Sequence, residues 1–171
     1  MENYFELFSL AVDFDINITK LNTEYQQQVA KFHPDKFASG SDKERALALQ
    51  NTSLINTAFD TLKPPLNRAN YLLELNGINA FDEKDTTMAV DFLMSQIELR
   101  ETLESIQASK DETALDDFIE KVDEKIKHNV DNIRASFTNT KVLNKIKDLV
   151  RELKFYEQLN AHAKQLMDEW L

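Results

Sequence analysis

The chain of 171 residues has no cysteine. That absence rules out disulfides, thiolate metal sites and cysteine nucleophiles, and it fits a reducing, cytoplasmic compartment. Glycine and proline are almost missing too: only Gly40, Gly77, Pro34, Pro64 and Pro65 interrupt a sequence rich in Leu, Ala, Glu, Lys and Gln. The expectation is an all-α protein, since a sheet has little to start from. Positive charge is short, with 20 basic against 30 acidic side chains and a formal net charge of -10. Nucleic-acid binders need Lys and Arg to displace counterions from phosphate, so no nucleic acid is expected as a partner, and an anionic membrane surface is disfavoured in the same way. No stretch of about 18 apolar residues occurs that could span a membrane. The opening MENYFELFSLAVDFD carries acids where a secretory signal needs bases.

What is present is helical periodicity in two parts. YFELFSL reads as a short amphipathic turn or helix, and a longer helix is expected to start at Asn17 or Thr19 as its cap, with Leu21, Tyr25, Val29 and Phe32 on one face. It must stop near His33, because a residue before proline is pushed out of the helical region. Ser41 with Glu44 three residues on has capping-box spacing and starts the next helix, whose inner face runs through Leu47 or Ala48, Thr52, Ile55, Ala58, Phe59 and Leu62. Pro64 and Pro65 end it. LNRANYLLELNG reads as one more short helix, with Asn76-Gly77 as its left-handed C-cap.

Residues 1–76 carry a net charge of -3 from 7 basic and 10 acidic side chains, which leaves -7 for the remainder. The charge balance shifts at the polar segment GINAFDEKDTTM, so a linker is expected over residues 76–87, between a first domain at 1–75 and a second at 88–171. The second domain should be a three-helix bundle, with helices near 88–107, 111–136 and 139–170 and turns at ASKD and SFTNT. Its core stripes are Leu115, Phe118, Ile119, Val122, Ile126, Val130 and Ile133 on one helix, and Val142, Ile146, Leu149, Leu153, Tyr156, Ala163, Met167 and Trp170 on the next.

Between the two long helices of the first domain lies KFHPDKFASGS. Proline fixes a backbone dihedral and removes a donor, so this tip is stiffer than a free loop, and it presents His33 and Asp35 from the end of a hairpin. An acid-base pair would need a nucleophile or metal-ligand companion, and none is near in sequence; His128 and His162 are far along the chain. His-Pro-Asp could also merely cap a helix and start a turn.

His33-Pro34-Asp35 between two helices, followed by LINTAFDTL, resembles the J-domain of DnaJ-type co-chaperones over residues 1 to about 75. The resemblance implies that His33, Pro34 and Asp35, flanked by Lys31 and Lys36, contact a DnaK-class ATPase and raise its hydrolysis. Only Lys20 and Lys31 lie on the preceding helix, where many J-domains are richer in bases, which implies a weaker or more specialised electrostatic contact.

HPDKFASGS, PLNRANYLLELNG and DFLMSQIELRETLESI together are similar to the HscB family of iron-sulfur cluster assembly co-chaperones, along essentially the whole chain. On its own periodicity the first bundle helix shows a stripe of Phe92, Leu99, Leu103 and Ile106, with Leu93, Met94 and Ile97 on another flank. Phe155 is out of register with the Leu149, Leu153, Tyr156 and Ala163 stripe, so it reads as an aromatic on a polar face. These four are either an exposed patch or ordinary core. The resemblance makes Leu93, Met94, Ile97, Glu98, Glu101 and Phe155 the contact for the scaffold IscU, with Ser105 where the family usually has an acid. It further implies HscA as the dedicated DnaK-class partner, no enzymatic activity, and no cofactor or metal on this chain. Two other readings stay open: a J-protein that holds unfolded chains generally, and a small enzyme using His33 and Asp35.

Overall fold

Asn17 begins the first long helix by accepting the Lys20 amide hydrogen on its side-chain oxygen, at 3.0 Å. Ser41 does the same for the Glu44 amide at 3.2 Å, and its hydroxyl donates to the Glu44 carboxylate at 3.2 Å. Each satisfies a backbone donor that has no partner inside the helix. The computed structural model describes residues 3–139 and 142–171, all helix, turn or irregular chain with no strand among them. The helices are α1 (Tyr4–Leu7), α2 (Ile18–Phe32), α3 (Asp42–Leu62), α4 (Pro65–Leu75), α5 (Val90–Ser109), α6 (Glu112–Asn139) and α7 (Leu143–Trp170). The all-α expectation holds.

The chain divides into two units, Met1–Leu75 and Asn76–Leu171. In the first, α2 and α3 pair as a hairpin over a core of Phe5, Phe8, Phe14, Leu21, Ile55, Ala58, Leu62 and Leu73. Ala48, not Leu47, takes the inner position on α3. Tyr25 stacks on Phe59 with ring centroids 3.9 Å apart and donates its hydroxyl to Asn56 at 2.6 Å. α4 starts with Pro65 in its first turn, where a missing N–H costs nothing. Its buried Arg68 donates to the carbonyls of Leu62 (2.9 Å) and Lys63 (3.1 Å), satisfying the end of α3. Gly77 has φ 78, as a left-handed cap after α4 requires.

In the second unit α6 and α7 lie side by side, and α5 packs against both. Phe92, Leu99, Leu103 and Ile106 of α5 meet Leu115, Phe118 and Val122 of α6 and Phe155, Leu159, Ala163 and Leu166 of α7. Lys110 turns the chain with φ 50, and Asp111 caps α6 by accepting the Ala114 amide hydrogen at 3.0 Å. α6 continues to Asn139, through the first part of SFTNT; the rest of that expected turn, Thr140, and Lys141 in the expected start of the last helix lie outside the described residues. Val142, expected in the core stripe, is exposed because it stands ahead of α7 as its N-cap. Residues 76–87, read from composition as a linker, fall in the second unit, where Asp85 is ion-paired to Lys147 at 2.6 Å. No helix among the described residues is long and apolar enough to cross a membrane.

Candidate functional site

The tip of the α2–α3 hairpin is built from its own backbone needs. Proline cannot continue α2, so His33 leaves it with φ -58 and ψ 133, and Pro34–Phe37 form one 3-10 turn. His33 caps that turn: its Nδ1 accepts the Asp35 amide hydrogen at 3.2 Å. The capping role expected of these residue types is therefore real. It also fixes the display, because the Asp35 side chain is left 93% exposed. Lys31 and Lys36 are exposed on either side.

The rest of the loop is stapled to α3. Arg45 donates to the Gly40 carbonyl at 2.7 Å and pairs with Asp42. A Cβ on Gly40 would come within 3.0 Å of the Glu44 carboxylate and 3.2 Å of the Phe37 carbonyl, so the loop closes where glycine stands. The Thr52 hydroxyl reaches the Phe32 carbonyl at 3.0 Å, tying the end of α2 to the middle of α3. The His-Pro-Asp tip is thus held at both sides before any partner arrives.

In the second unit α5 presents an apolar face outward. Leu93 is 41% exposed, Met94 57% and Ile97 58%, and Val90, one turn earlier, is 69% exposed. Val90 was not singled out from the sequence, although its three-residue step to Leu93 places it on the same flank. Glu98 and Glu101 are exposed beside this face. The flank read as an alternative to core is solvent-facing, because Phe92, Leu99, Leu103 and Ile106 already fill the side of α5 that meets α6 and α7.

Phe155 corrects the sequence reading. It is 7% exposed and belongs to the core, with its ring edge-on to Phe92 at 5.7 Å and 90° and the Arg100 guanidinium 5.2 Å from its centroid. α7 has two neighbours, so its apolar surface is wider than one stripe, and Phe155 serves the side facing α5. It lines a concavity of about 300 Å³, with Arg100, Leu103, Glu104, Leu159 and His162 around it. Among the described residues no group of three or more His, Asp or Glu side chains is placed to hold a metal ion.

Two kinds of comparison with known proteins agree with this architecture. Residues 88–164 match the family model of the HSCB C-terminal oligomerisation domain. The structure is similar to that of the chaperone HscB from Vibrio cholerae, with 37% identity, a TM-score of 0.87 and 99% of each chain covered. The chain belongs to the HscB family. The human co-chaperone protein HscB is similar at 28% identity and a TM-score of 0.88, covering 95% of this chain and 81% of that one. The Jac1 co-chaperone from Saccharomyces cerevisiae has 23% identity and a TM-score of 0.77, with 96% of this chain and 94% of that one covered, which bears on the fold alone. The family assignment spans both units, so the His-Pro-Asp tip and the exposed α5 face belong to one co-chaperone architecture.

Proposed function

We propose that the chain stimulates the ATPase of a dedicated DnaK-class chaperone, HscA, and delivers to it the iron-sulfur scaffold IscU. The observation that carries this reading is the exposure of Leu93, Met94 and Ile97 in a unit separate from the one that presents Asp35. One end engages the ATPase through His33, Pro34 and Asp35, with Lys31 and Lys36 supplying charge attraction. The other engages the scaffold through Leu93, Met94 and Ile97, with Glu98 and Glu101 at the rim and Phe155 beneath it. Apolar anchors with a charged border are the usual anatomy of such a contact.

The chain does no chemistry in this reading. It favours the hydrolysis-competent state of its partner by binding that state better, the only way a ligand shifts such an equilibrium. Holding scaffold and ATPase on one chain replaces intrinsic affinity with local concentration. The cluster is cargo on the scaffold, and this chain, lacking cysteine, supplies no thiolate ligand for a cluster or for zinc. The setting is the cytoplasm.

The test is steady-state ATP hydrolysis by HscA with and without the chain and IscU. Stimulation that grows further with the scaffold is expected. Asp35→Ala should abolish stimulation and keep scaffold binding, whereas Leu93→Ala should keep basal stimulation and lose the scaffold-dependent part. Full stimulation by Asp35→Ala would sink the role given to the tip. Activity on DnaK instead of HscA, with suppression of aggregation of a denatured model protein, would move the function to general folding.

A further inference from the structure

The exposed face begins in the first turn of α5, yet that helix has a weak start of its own. Its N-cap is Ala89, which offers no side-chain acceptor to the first amides. The segment before it is instead tied down on α7. Lys147, Arg151 and Lys154 stand at four- and three-residue steps and so line one face of α7. Lys147 donates to the Asp85 carboxylate at 2.6 Å. Arg151 donates to the backbone carbonyls of Asp85 and Thr87, both at 2.8 Å, and its guanidinium is 3.7 Å from the Asp85 carboxylate. Lys154 lies 4.3 Å from the ring centroid of Phe81.

The segment also supports itself. Asp82 and Asp85 each accept the amide hydrogen two residues on, at 3.0 and 3.1 Å, forming two successive Asx turns. Met88 then packs on the core and Ala89 starts the helix. Arg151 and Lys147 are largely sheltered, with side chains 13% and 18% exposed. Charged hydrogen bonds of this kind are stronger than neutral ones, and Arg151 reaches two carbonyls through a rigid fork that lysine lacks.

We infer that Arg151, helped by the Lys147–Asp85 pair, is a positioning group for the α5 partner face: it fixes residues 85–89 on α7 and thereby sets where Val90, Leu93 and Met94 stand. This rests on the reading of that face as the scaffold site. Without the clamp the first turn of α5 samples positions in which the apolar anchors are misplaced. Such molecules still bind the scaffold through their remaining contacts but without the misplaced anchors, so the averaged affinity falls toward that of a chain lacking those anchors.

The experiment is calorimetric titration of purified IscU with the full chain and with Leu93→Ala, Arg151→Ala and the double variant, each checked for fold by circular dichroism. Arg151→Ala is expected to weaken binding about tenfold as molecules with misplaced anchors accumulate, and the amides of Leu93 and Met94 should exchange hydrogen faster while those of Val122 and Leu153 do not change. The double variant should bind more tightly than the product of the two single losses requires, because misplacing an anchor matters less once the anchor is gone. A group that touches the scaffold independently, or that only weakens the fold, gives the full product and overturns the inference. So does unchanged affinity in Arg151→Ala when Leu93→Ala is impaired. Unchanged affinity in Leu93→Ala overturns the reading of the face itself, and this inference with it. If Arg151→Ala does not fold, Arg151→Lys takes its place in the same cycle, with a smaller loss expected because one of the two carbonyl bonds is retained.

Discussion

Phe155 and Leu93 differ in what their removal would report. Phe155 fills the junction between α5 and α7 against Phe92, whereas Leu93 stands 41% exposed. Phe155→Ala should therefore lower unfolding free energy by about 3–5 kcal/mol, the usual cost of removing a buried phenylalanine. Leu93→Ala, on a face already open to solvent, should stay within about 0.5 kcal/mol of the parent. Thermal and urea unfolding of both variants checks this, and near-native stability in Phe155→Ala would return that ring to the surface. A loss of scaffold binding is then attributable to contact for Leu93, but for Phe155 it must first be separated from loss of fold.

At the scale of elements, the second unit combines carboxylates whose affinities for protons are shifted in opposite directions. The hydrogen bond from Lys147, reinforced by the Thr87 amide, holds the Asp85 carboxyl below its ordinary range. Burial pushes Glu152 and Glu157 on α7 up, with Asp148 adding repulsion at Glu152. For Asp85 the unfolded chain binds the proton more readily, so its stabilisation is complete above the ordinary carboxylate range and is lost as pH falls through the depressed value. For Glu152 and Glu157 the folded chain binds the proton more readily, so stability falls as pH rises from the ordinary range through the raised values. The urea midpoint of the second unit should thus be highest in the mildly acid region. Asp85→Asn should flatten the acid limb of that profile, and Glu152→Gln should flatten the limb on the neutral side. Parallel profiles in parent and variants would show that these groups do not set the pH response.

Much of this architecture was legible because its elements announce themselves by caps and periodicity. Asn17, Ser41, Gly77 and the Leu115-to-Ile133 stripe each stand in the role their residue type suggested. Phe155, Val150, Leu159 and Leu166 escaped because a single-stripe reading assumes one neighbour, and α7 has two. Asn129 and Asn160 are buried for a further reason: Asn129 donates to the Leu149 carbonyl at 3.1 Å, and Asn160 to Asp123 at 2.6 Å. Such polar contacts across a long helical pair favour one register over its neighbours, and hydropathy cannot foresee them. The clamp on Asp85 was hidden in the same way, since Lys147 and Arg151 lie more than 60 residues along the chain from their acceptors. Of the candidate sites, the His-Pro-Asp tip was legible as a motif. The α5 face was legible only as an alternative to core, which the filled inner side of α5 decides.

For the whole molecule the central question is whether the two ends must share a chain. The tip and the α5 face belong to separate compact units, and the second half carries most of the net negative charge. Tethering can raise the effective concentration of a second binding event to about the millimolar range, far above the level at which free co-chaperone and scaffold would meet in a dilute assay. An equimolar mixture of Asp35→Ala and Leu93→Ala supplies every surface, but never both working ends together. At low protein concentration the mixture should therefore give only the basal, scaffold-independent stimulation contributed by Leu93→Ala, while the parent chain gives the enhanced rate. Raising the concentration of both variants should narrow the gap, because bimolecular encounter then approaches what the tether provides. An enhanced rate from the mixture at low concentration would mean that the tip and the α5 face act independently, and that one chain carries both for a reason other than local concentration.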